Sequence, residues 1–161
     1  MDTMKETTSA IKLLEQENIP YTLHFYPTEN GPVAAVDVAA YLGYAPERLF
    51  KTLVTSDHKG GYYVFCLPAE KRMDLKKAAS VVGVKNLQML KPEIFEELTG
   101  YTHGGCSPFG LRTKLPIYVD HSANNWDADS KTAYRAAACP GRRTATRPRP
   151  AIPCSRPFCP A

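Results

Sequence analysis

Apolar and polar residues follow two different periods along the first 130 residues, and together they predict a mixture of helices and strands. Between residues 8 and 17, apolar side chains recur three and four positions apart, which predicts a helix that Thr8 or Ser9 caps. Residues 21–26 alternate between apolar and polar side chains, as a half-buried strand does, and this strand ends at Pro27.

Two β-rich runs in the middle of the chain give the clearest structural prediction. Residues 49–55 and 62–67 flank a five-residue loop, 57–61, that ends in two glycines, which is typical of a β-hairpin. A helix that begins near Pro32 and stops at Gly43 precedes this hairpin.

The elements after the hairpin complete the predicted fold. Asp74 is a suitable cap for a helix that ends at Gly83, a shorter helix over 93–98 ends at Gly100, and residues 116–120 form a strand. Because helices and strands do not alternate as regular βαβ units, we expect an α+β domain with a mixed, largely antiparallel sheet.

Charge is distributed unevenly along the chain. The net charge of +4 is the sum of −3 over residues 1–130 and +7 over residues 131–161, which hold seven basic residues and no acidic one. The second segment also contains six of the 14 prolines and no Leu or Val, so it cannot bury enough apolar surface to offset its ordering entropy. We therefore expect a folded domain over 1–130 and a disordered tail, rich in Arg, Pro and Cys, over 131–161.

Composition also excludes several classes of protein. No apolar run reaches the roughly 18–20 residues of a membrane-spanning helix, and the N-terminus lacks a signal-type apolar segment. Cys66 and Cys106 are isolated, and no Cys/His cluster has metal-ligand spacing. We expect a cytoplasmic protein that has no membrane contact, no disulfide framework, no metal ion and no cofactor.

One lysine stands inside an otherwise apolar strand. Alternation places Lys51 on the same face as Leu49 and Leu53. A lysine there can line a pocket, where its ammonium holds a phosphate or a developing oxyanion. The alternative is an edge-strand lysine that discourages aggregation, and the pattern alone favours this alternative.

A glycine-rich loop spans residues 104–110. The paired glycines, Gly104 and Gly105, allow main-chain N–H groups to point into a cleft and hold an ester carbonyl or an anion; the alternative is a tight turn. Cys106 has no local base partner, so a buried or turn cysteine is a better interpretation than a nucleophile. Ser107 does not stand in a Gly-x-Ser-x-Gly motif, so a serine-hydrolase triad is poorly supported.

Four short segments carry a resemblance to a known family. They are AIKLL at 10–14, FKTL at 50–53, DLKK at 74–77 and TGYTHGGCSPFG at 99–110. Their order and spacing resemble those of the YbaK family, free-standing aminoacyl-tRNA deacylases related to the editing insertion of bacterial prolyl-tRNA synthetase. The resemblance covers about residues 8–123 and is greatest for the Cys-tRNA(Pro) deacylase branch.

The resemblance implies a barrel-like mixed sheet surrounded by helices, with the active site between the lysine strand and the glycine loop. Lys51 matches the essential lysine of the family, and residues 104–108 match its GxxxP loop, whose backbone would position the ester carbonyl and the amino acid. The implied catalytic residues are Lys51 and Gly105, and the implied substrate-binding residues are Tyr26, Thr52, Gly104, Cys106, Ser107 and Pro108.

The activity that the resemblance implies is trans-editing of Cys-tRNA(Pro), with Cys-tRNA(Cys) as a further substrate. An aminoacyl ester is already activated, so the site needs positioning and oxyanion stabilisation more than a protein nucleophile. The family's Cys-specific members imply that the substrate's own thiol attacks its carbonyl and releases a cyclic thiolactone. The implied partners are aminoacyl-tRNA and prolyl-tRNA synthetase, in a transient ternary complex.

The resemblance ends after the Asp120 region. The family continues with a strand, a Val-Ser-Gly-Gly-like turn and a final strand and helix, none of which residues 131–161 match. Their composition is that of GC-rich DNA read out of frame, and overlapping codons of residues 132–137 permit Gly-Val-Ser-Gly-Gly. We therefore hypothesise a frameshift that begins between about residues 125 and 132 and leaves the family's C-terminal strands missing.

Two other functions stay open from the sequence. One is a deacylase for another mischarged tRNA, such as Ala-tRNA(Pro). The other is a non-catalytic nucleic-acid-binding protein that uses residues 131–161 as a basic arm.

Overall fold

Short helices and strands make up the structure, a computed structural model that describes residues 8–27, 33–126 and 144–146. Within these ranges the helices are α1 (Ser9–Gln16), α2 (Ala35–Tyr41), α3 (Leu75–Val82) and α4 (Pro92–Thr99), with 3-10 helices at Pro46–Arg48 and His121–Asn125. The strands are β1 (Thr22–His24), β2 (Phe50–Ser56), β3 (Tyr62–Pro68), β4 (Gln88–Met89), β5 (Ile117–Val119) and β6 (Thr144–Thr146). None of the helices in these ranges has the length and apolarity to cross a membrane.

Local capping sets most helix boundaries where the sequence predicts them. Thr8 caps α1 by accepting a hydrogen bond from a main-chain N–H, and Asp74 caps α3 in the same way. Gly83 and Gly100 end α3 and α4 with φ angles of +83° and +77°, which glycine adopts without a steric penalty. Helix α2 begins at Ala35, and the predicted starting region near Pro32 lies outside the described residues.

The predicted hairpin forms the centre of a four-stranded sheet, whose order is β4-β2-β3-β5. Strands β2 and β3 are antiparallel along their whole length, from Phe50 opposite Pro68 to Ser56 opposite Tyr62. Strand β4 pairs antiparallel with the last two residues of β2, and β5 pairs parallel with β3. The mixed, largely antiparallel α+β fold predicted from the sequence is therefore confirmed, whereas the two-residue strand β4 was not predicted.

A second, two-stranded sheet pairs β1 with β6 in an antiparallel register. Strand β6 lies inside the segment 131–161, which we expected to be disordered. Thr-Ala-Thr is compatible with extended backbone, and the edge of β1 supplies partners for its main-chain N–H and carbonyl groups. The rest of the predicted tail, 131–143 and 147–161, lies outside the described residues.

Apolar side chains pack in three clusters on the faces and at one end of the hairpin. The first joins α1, α4 and the glycine loop to the cross-strand pair of Val54 and Val64. The second contains Tyr26, Ala35, Val38, Ala39, Leu49 and Ala69. The third packs α3 against Phe65. The second cluster contains both Leu49 and Ala69, so it lies at the open end of the hairpin.

Candidate functional site

Lys51 lies near the start of β2, opposite Leu67 of β3. Its ammonium is half-buried and donates a hydrogen bond to the carbonyl oxygen of Ala69, at an Nζ–O distance of 3.0 Å. Burial, and secondly the positive charge of Arg72, hold the pKa of Lys51 below its usual value. Beside Lys51, β3 is the one paired strand that the described residues provide, because β4 reaches only Thr55 and Ser56.

The Ala69 carbonyl connects Lys51 to the second cluster. Ala69 is itself a buried member of that cluster, and its main-chain N–H donates to the Leu49 carbonyl at 2.7 Å. Tyr26, which follows β1, packs in the same cluster and is 4% exposed. The structure thus brings Tyr26 and Lys51, two of the sequence-predicted site residues, to the same end of the hairpin.

The glycine loop is fixed by hydrogen bonds within itself. Gly104 has a φ of +88°, which turns the chain so that the Gly105 N–H donates to the Thr102 carbonyl at 3.0 Å. The Ser107 hydroxyl accepts from the Phe109 N–H at 3.1 Å. Residues 105–108 are buried. The loop is therefore held in one conformation before any ligand binds, as preorganised binding requires.

These bonds change which N–H groups of the loop are available to a ligand. The Gly105 N–H, predicted from the resemblance to take part in catalysis, is already donated within the loop. Within the described part of the chain, by contrast, the main-chain N–H groups of Cys106 and Ser107 have no acceptor. Buried N–H groups that lack an acceptor are costly, so these two are the better candidates to hold an ester carbonyl.

Neither side chain of the Cys106–Ser107 pair is activated as a nucleophile. Burial raises the pKa of the Cys106 thiol to about 12, although a hydrogen bond from Thr99 acts in the opposite direction. The Cys106 thiol lies 3.5 Å from the Ser107 carbonyl oxygen, to which it donates. Because the thiolate is the reactive form, a thiol with so high a pKa is inert at neutral pH. The loop can therefore position a substrate but supplies no attacking group.

Thr52 lies on the face of the hairpin that carries the first cluster, to which the glycine loop contributes Cys106. It pairs with Cys66 and shares a face with Val54, whose cluster includes Cys106. Its hydroxyl oxygen is buried and has no hydrogen-bond partner among the described residues. Thr52 therefore presents an unused polar atom on the loop side of the sheet, whereas Lys51 faces the opposite side. The structure thus groups the predicted site residues in two sets, Thr52 on the side of the glycine loop and Lys51 with Tyr26 near Ala69.

Charged residues that were not among the predicted site residues lie near Lys51. Arg72 lies close enough to lower the pKa of Lys51, and the neighbouring Lys71 forms an ion pair of 3.3 Å with Asp120. The sequence signal for both is the basic dipeptide at 71–72, which begins three residues after the end of β3. Only the register of the hairpin shows that this dipeptide returns to the Lys51 end.

With this geometry established, the chain can be compared with known proteins. The sequence profile of the family described as the aminoacyl-tRNA editing domain matches residues 29–144. The chain is 36% identical over 124 residues to EbsC of Enterococcus faecalis, whose name is that of a Cys-tRNA(Pro)/Cys-tRNA(Cys) deacylase, and the alignment covers 77% of this chain and 76% of EbsC. It is 31% identical over 84 residues to the proline–tRNA ligase of Pelobacter propionicus, covering 52% of this chain and 15% of the ligase.

Solved structures agree with the sequence comparisons. A structure described as a trans-editing enzyme for prolyl tRNA synthetase matches with a TM-score of 0.71 and 28% identity, over 86% of this chain and 83% of that one. A second structure, of the protein APE2540, has a TM-score of 0.70 at 22% identity, over 88% of this chain and 89% of that one, and shows the shared fold. From its match to the family profile, its sequence relatives and its fold, the chain belongs to the aminoacyl-tRNA editing domain family.

Proposed function

We propose that the chain is a trans-editing deacylase that clears Cys-tRNA(Pro), and also Cys-tRNA(Cys), by cleaving the aminoacyl ester in the cytoplasm. The observation that carries the proposal is a buried, preorganised main-chain loop whose only thiol has a pKa of about 12. Such a loop suits a substrate that brings its own nucleophile. The name of the EbsC relative supports cysteine as the amino acid, and the ligase relative supports tRNA(Pro).

The proposed chemical step needs no water and no protein nucleophile. The cysteine thiol of the substrate loses its proton and attacks the ester carbonyl carbon, so that a C–S bond forms. The C–O bond to the ribose then breaks, the ribose oxygen takes up a proton, and a cysteine thiolactone leaves. The N–H groups of Cys106 and Ser107 hold the carbonyl oxygen while negative charge develops on it.

Lys51 and Thr52 complete this arrangement in the proposal. The half-buried ammonium of Lys51 stabilises negative charge more strongly than an exposed lysine does, because less water screens it. The unused hydroxyl of Thr52 supplies a hydrogen bond on the loop side. Tyr26, buried beside Ala69, forms the apolar wall next to the ammonium. Gly104 turns the chain at the start of the loop, and Pro108 restricts the backbone after Ser107.

Selectivity in this proposal comes from the thiol and less from the size of the pocket. Size discriminates weakly between small amino acids, since one methylene contributes only about 1–3 kcal/mol. An alanyl ester lacks a nucleophile, so Ala-tRNA(Pro) would persist. If Ala-tRNA(Pro) were cleaved as fast as Cys-tRNA(Pro), the alternative of a deacylase for another mischarged tRNA would replace the thiol-dependent Cys-tRNA(Pro) deacylase.

The decisive experiment is a panel of charged tRNAs tested against three variants. We expect Lys51→Ala to lower deacylation of Cys-tRNA(Pro) at least about 100-fold, the usual effect of losing a group that stabilises an oxyanion. Lys59→Ala is the matched control, because it removes an exposed lysine from the loop of the same hairpin. Cys106→Ala should stay within about fivefold of wild type, or about 1 kcal/mol of barrier. Near-wild-type activity of Lys51→Ala would overturn the assignment.

Truncation after residue 130 tests the extent of the domain and the role of the basic tail. In our proposal residues 1–130 carry the activity, so Lys51-dependent deacylation and tRNA affinity survive the truncation. The basic-arm alternative would be supported if the truncated chain no longer bound tRNA and the full-length wild-type chain hydrolysed no ester. Co-elution with prolyl-tRNA synthetase, with and without tRNA(Pro), tests the proposed ternary complex.

A further inference from the structure

Basic residues from separate segments meet at the Lys51 end of the hairpin. Arg48 precedes β2, and Arg72 follows β3. Because Phe50 lies opposite Pro68, the two segments return to the same place, and the Ala69 N–H fixes them by donating to the Leu49 carbonyl. Strand β5 is parallel to β3, so the residues after it also arrive at this end.

The cations at this end are not equivalent. Lys71 is paired with Asp120 at 3.3 Å and is largely neutralised. Arg72 is exposed, makes no hydrogen bond or ion pair within the described residues, and lies beside the like charge of Lys51. Glu47 and Glu70, the acidic neighbours in the same segments, are exposed, and neither forms an ion pair in the described part of the chain. Two cations held close together repel until an anion lies between them.

An aromatic residue stands next to these charges. Trp126 follows the 3-10 helix after β5, and the guanidinium carbon of Arg48 lies 5.3 Å from the centroid of its ring. Aromatic rings and guanidinium groups are the surfaces on which proteins stack the bases of single-stranded RNA. Arg48 ends a 3-10 helix three residues before Lys51, so the two residues are at most about 11 Å apart along the backbone. Nucleotides that adjoin an ester held at Lys51 therefore lie within reach of the Arg48–Trp126 pair.

We propose that this end of the sheet binds the single-stranded 3′ terminus of tRNA, with Arg72 contacting a phosphate and the Arg48–Trp126 cation–π pair contacting a base. The inference rests on the proposed function, since it takes the aminoacyl ester to be the group at Lys51. It assigns binding of the tRNA to residues 48–126 and gives the tail no part in holding the 3′ end.

The test compares binding of two uncharged tRNAs, one that ends in CCA and the same tRNA without CCA. We expect the wild-type chain to prefer the CCA form, and Arg72→Gln to weaken binding of that form about tenfold while lowering the salt slope by about 0.7, one single-strand phosphate contact. Lys71→Gln is the matched control: it removes an adjacent exposed cation that Asp120 already neutralises, and it should change affinity less than about twofold.

The contact of the Arg48–Trp126 pair with a base is tested by Trp126→Ala and Trp126→Phe. Alanine should reduce the preference for the CCA form about tenfold, and phenylalanine, which still stacks, should keep most of it. Thermal melting of each variant separates lost binding from lost folding. Equal effects of Arg72→Gln and Lys71→Gln, or no preference of the wild-type chain for CCA, would overturn the inference. A chain that prefers CCA yet leaves Cys-tRNA(Pro) intact would contradict only the proposed function.

Discussion

Gly110 is the point at which the glycine loop contacts the first turn of helix α1. Its φ is +64°, and a Cβ at this position would lie 2.5 Å from the carbonyl oxygen of Ser9 and 2.6 Å from its carbonyl carbon. Carbon atoms pack best about 3.5–4.0 Å apart. Gly110→Ala would therefore push the loop and the helix apart by about 1 Å, against main-chain atoms that no rotamer change can move.

The expected loss of stability is the sum of two effects. A left-handed backbone costs a residue with a Cβ about 1–2 kcal/mol, and overpacking a filled site costs about 1–3 kcal/mol. We therefore expect Gly110→Ala to lower the free energy of unfolding by about 2–5 kcal/mol. Gly83→Ala is the matched control, because Gly83 has a φ of +83° but a Cβ there would meet nothing within 4 Å. Only the backbone cost applies to it, about 1–2 kcal/mol.

Urea unfolding followed by circular dichroism measures both losses, and deacylation of Cys-tRNA(Pro) measures the effect on the loop. Gly110→Ala should lower the rate of deacylation, because it displaces residues 105–108. Gly83→Ala should leave the rate of deacylation unchanged. Equal losses of unfolding free energy in the two variants would refute the contact between Gly110 and Ser9. So would a folded Gly110→Ala protein with the wild-type rate, since the loop would then tolerate the displacement.

Two further predictions concern charged groups. Burial and the charge of Arg72 lower the pKa of Lys51, so an activity that needs the ammonium should be lost at a pH below the ordinary lysine pKa of about 10.4. Arg72→Gln should move this alkaline limit of kcat/KM to higher pH. A shift to lower pH would contradict the assignment. Burial raises the pKa of Asp120, but hydrogen bonds from Ser122 and the charge of Lys71 outweigh it and lower the pKa overall. The ionised Asp120 carboxylate therefore stabilises the folded state at pH values above the pKa of an unfolded aspartate, about 3.9. This stabilisation is lost as the pH falls through the lower pKa that Asp120 has in the folded state. Asn can still cap the 3-10 helix, so Asp120→Asn removes the charge alone and should cost about 0.2–1 kcal/mol at pH 7. The difference between the two proteins should narrow below about pH 4 in denaturant titrations, and a constant difference would contradict this prediction.

Elements whose signals are local could be predicted from the sequence. The caps at Thr8 and Asp74 and the glycine stops at Gly83 and Gly100 act within one helical turn, so their residues are neighbours in sequence. The hairpin is similarly local, because a five-residue loop joins its strands. These elements lie within a residue or two of their predicted positions.

Contacts between distant segments could not be predicted from the same patterns. Strand β4 has only two residues and is defined by its pairing with the end of β2. The bond from Lys51 to the Ala69 carbonyl and the approach of Arg72 depend on the register of the hairpin. The loop residues could be listed from the resemblance, but which of their N–H groups is unpaired depends on the turn at Gly104. Position in space, which the pattern does not encode, decides each of these features.

The distribution of charge has a consequence for how this family member can hold a polyanion. Residues 1–130 have a net charge of −3, which at long range does not attract tRNA. At physiological salt, however, charges interact over only about 8 Å, so a bound nucleotide experiences mainly the groups beside it. Arg48, Lys51 and Arg72 are gathered at one end of the sheet, while Asp120 is occupied by Lys71. In our proposal this mildly acidic domain therefore binds the end of a tRNA through a local group of cations, without the seven basic residues of the tail.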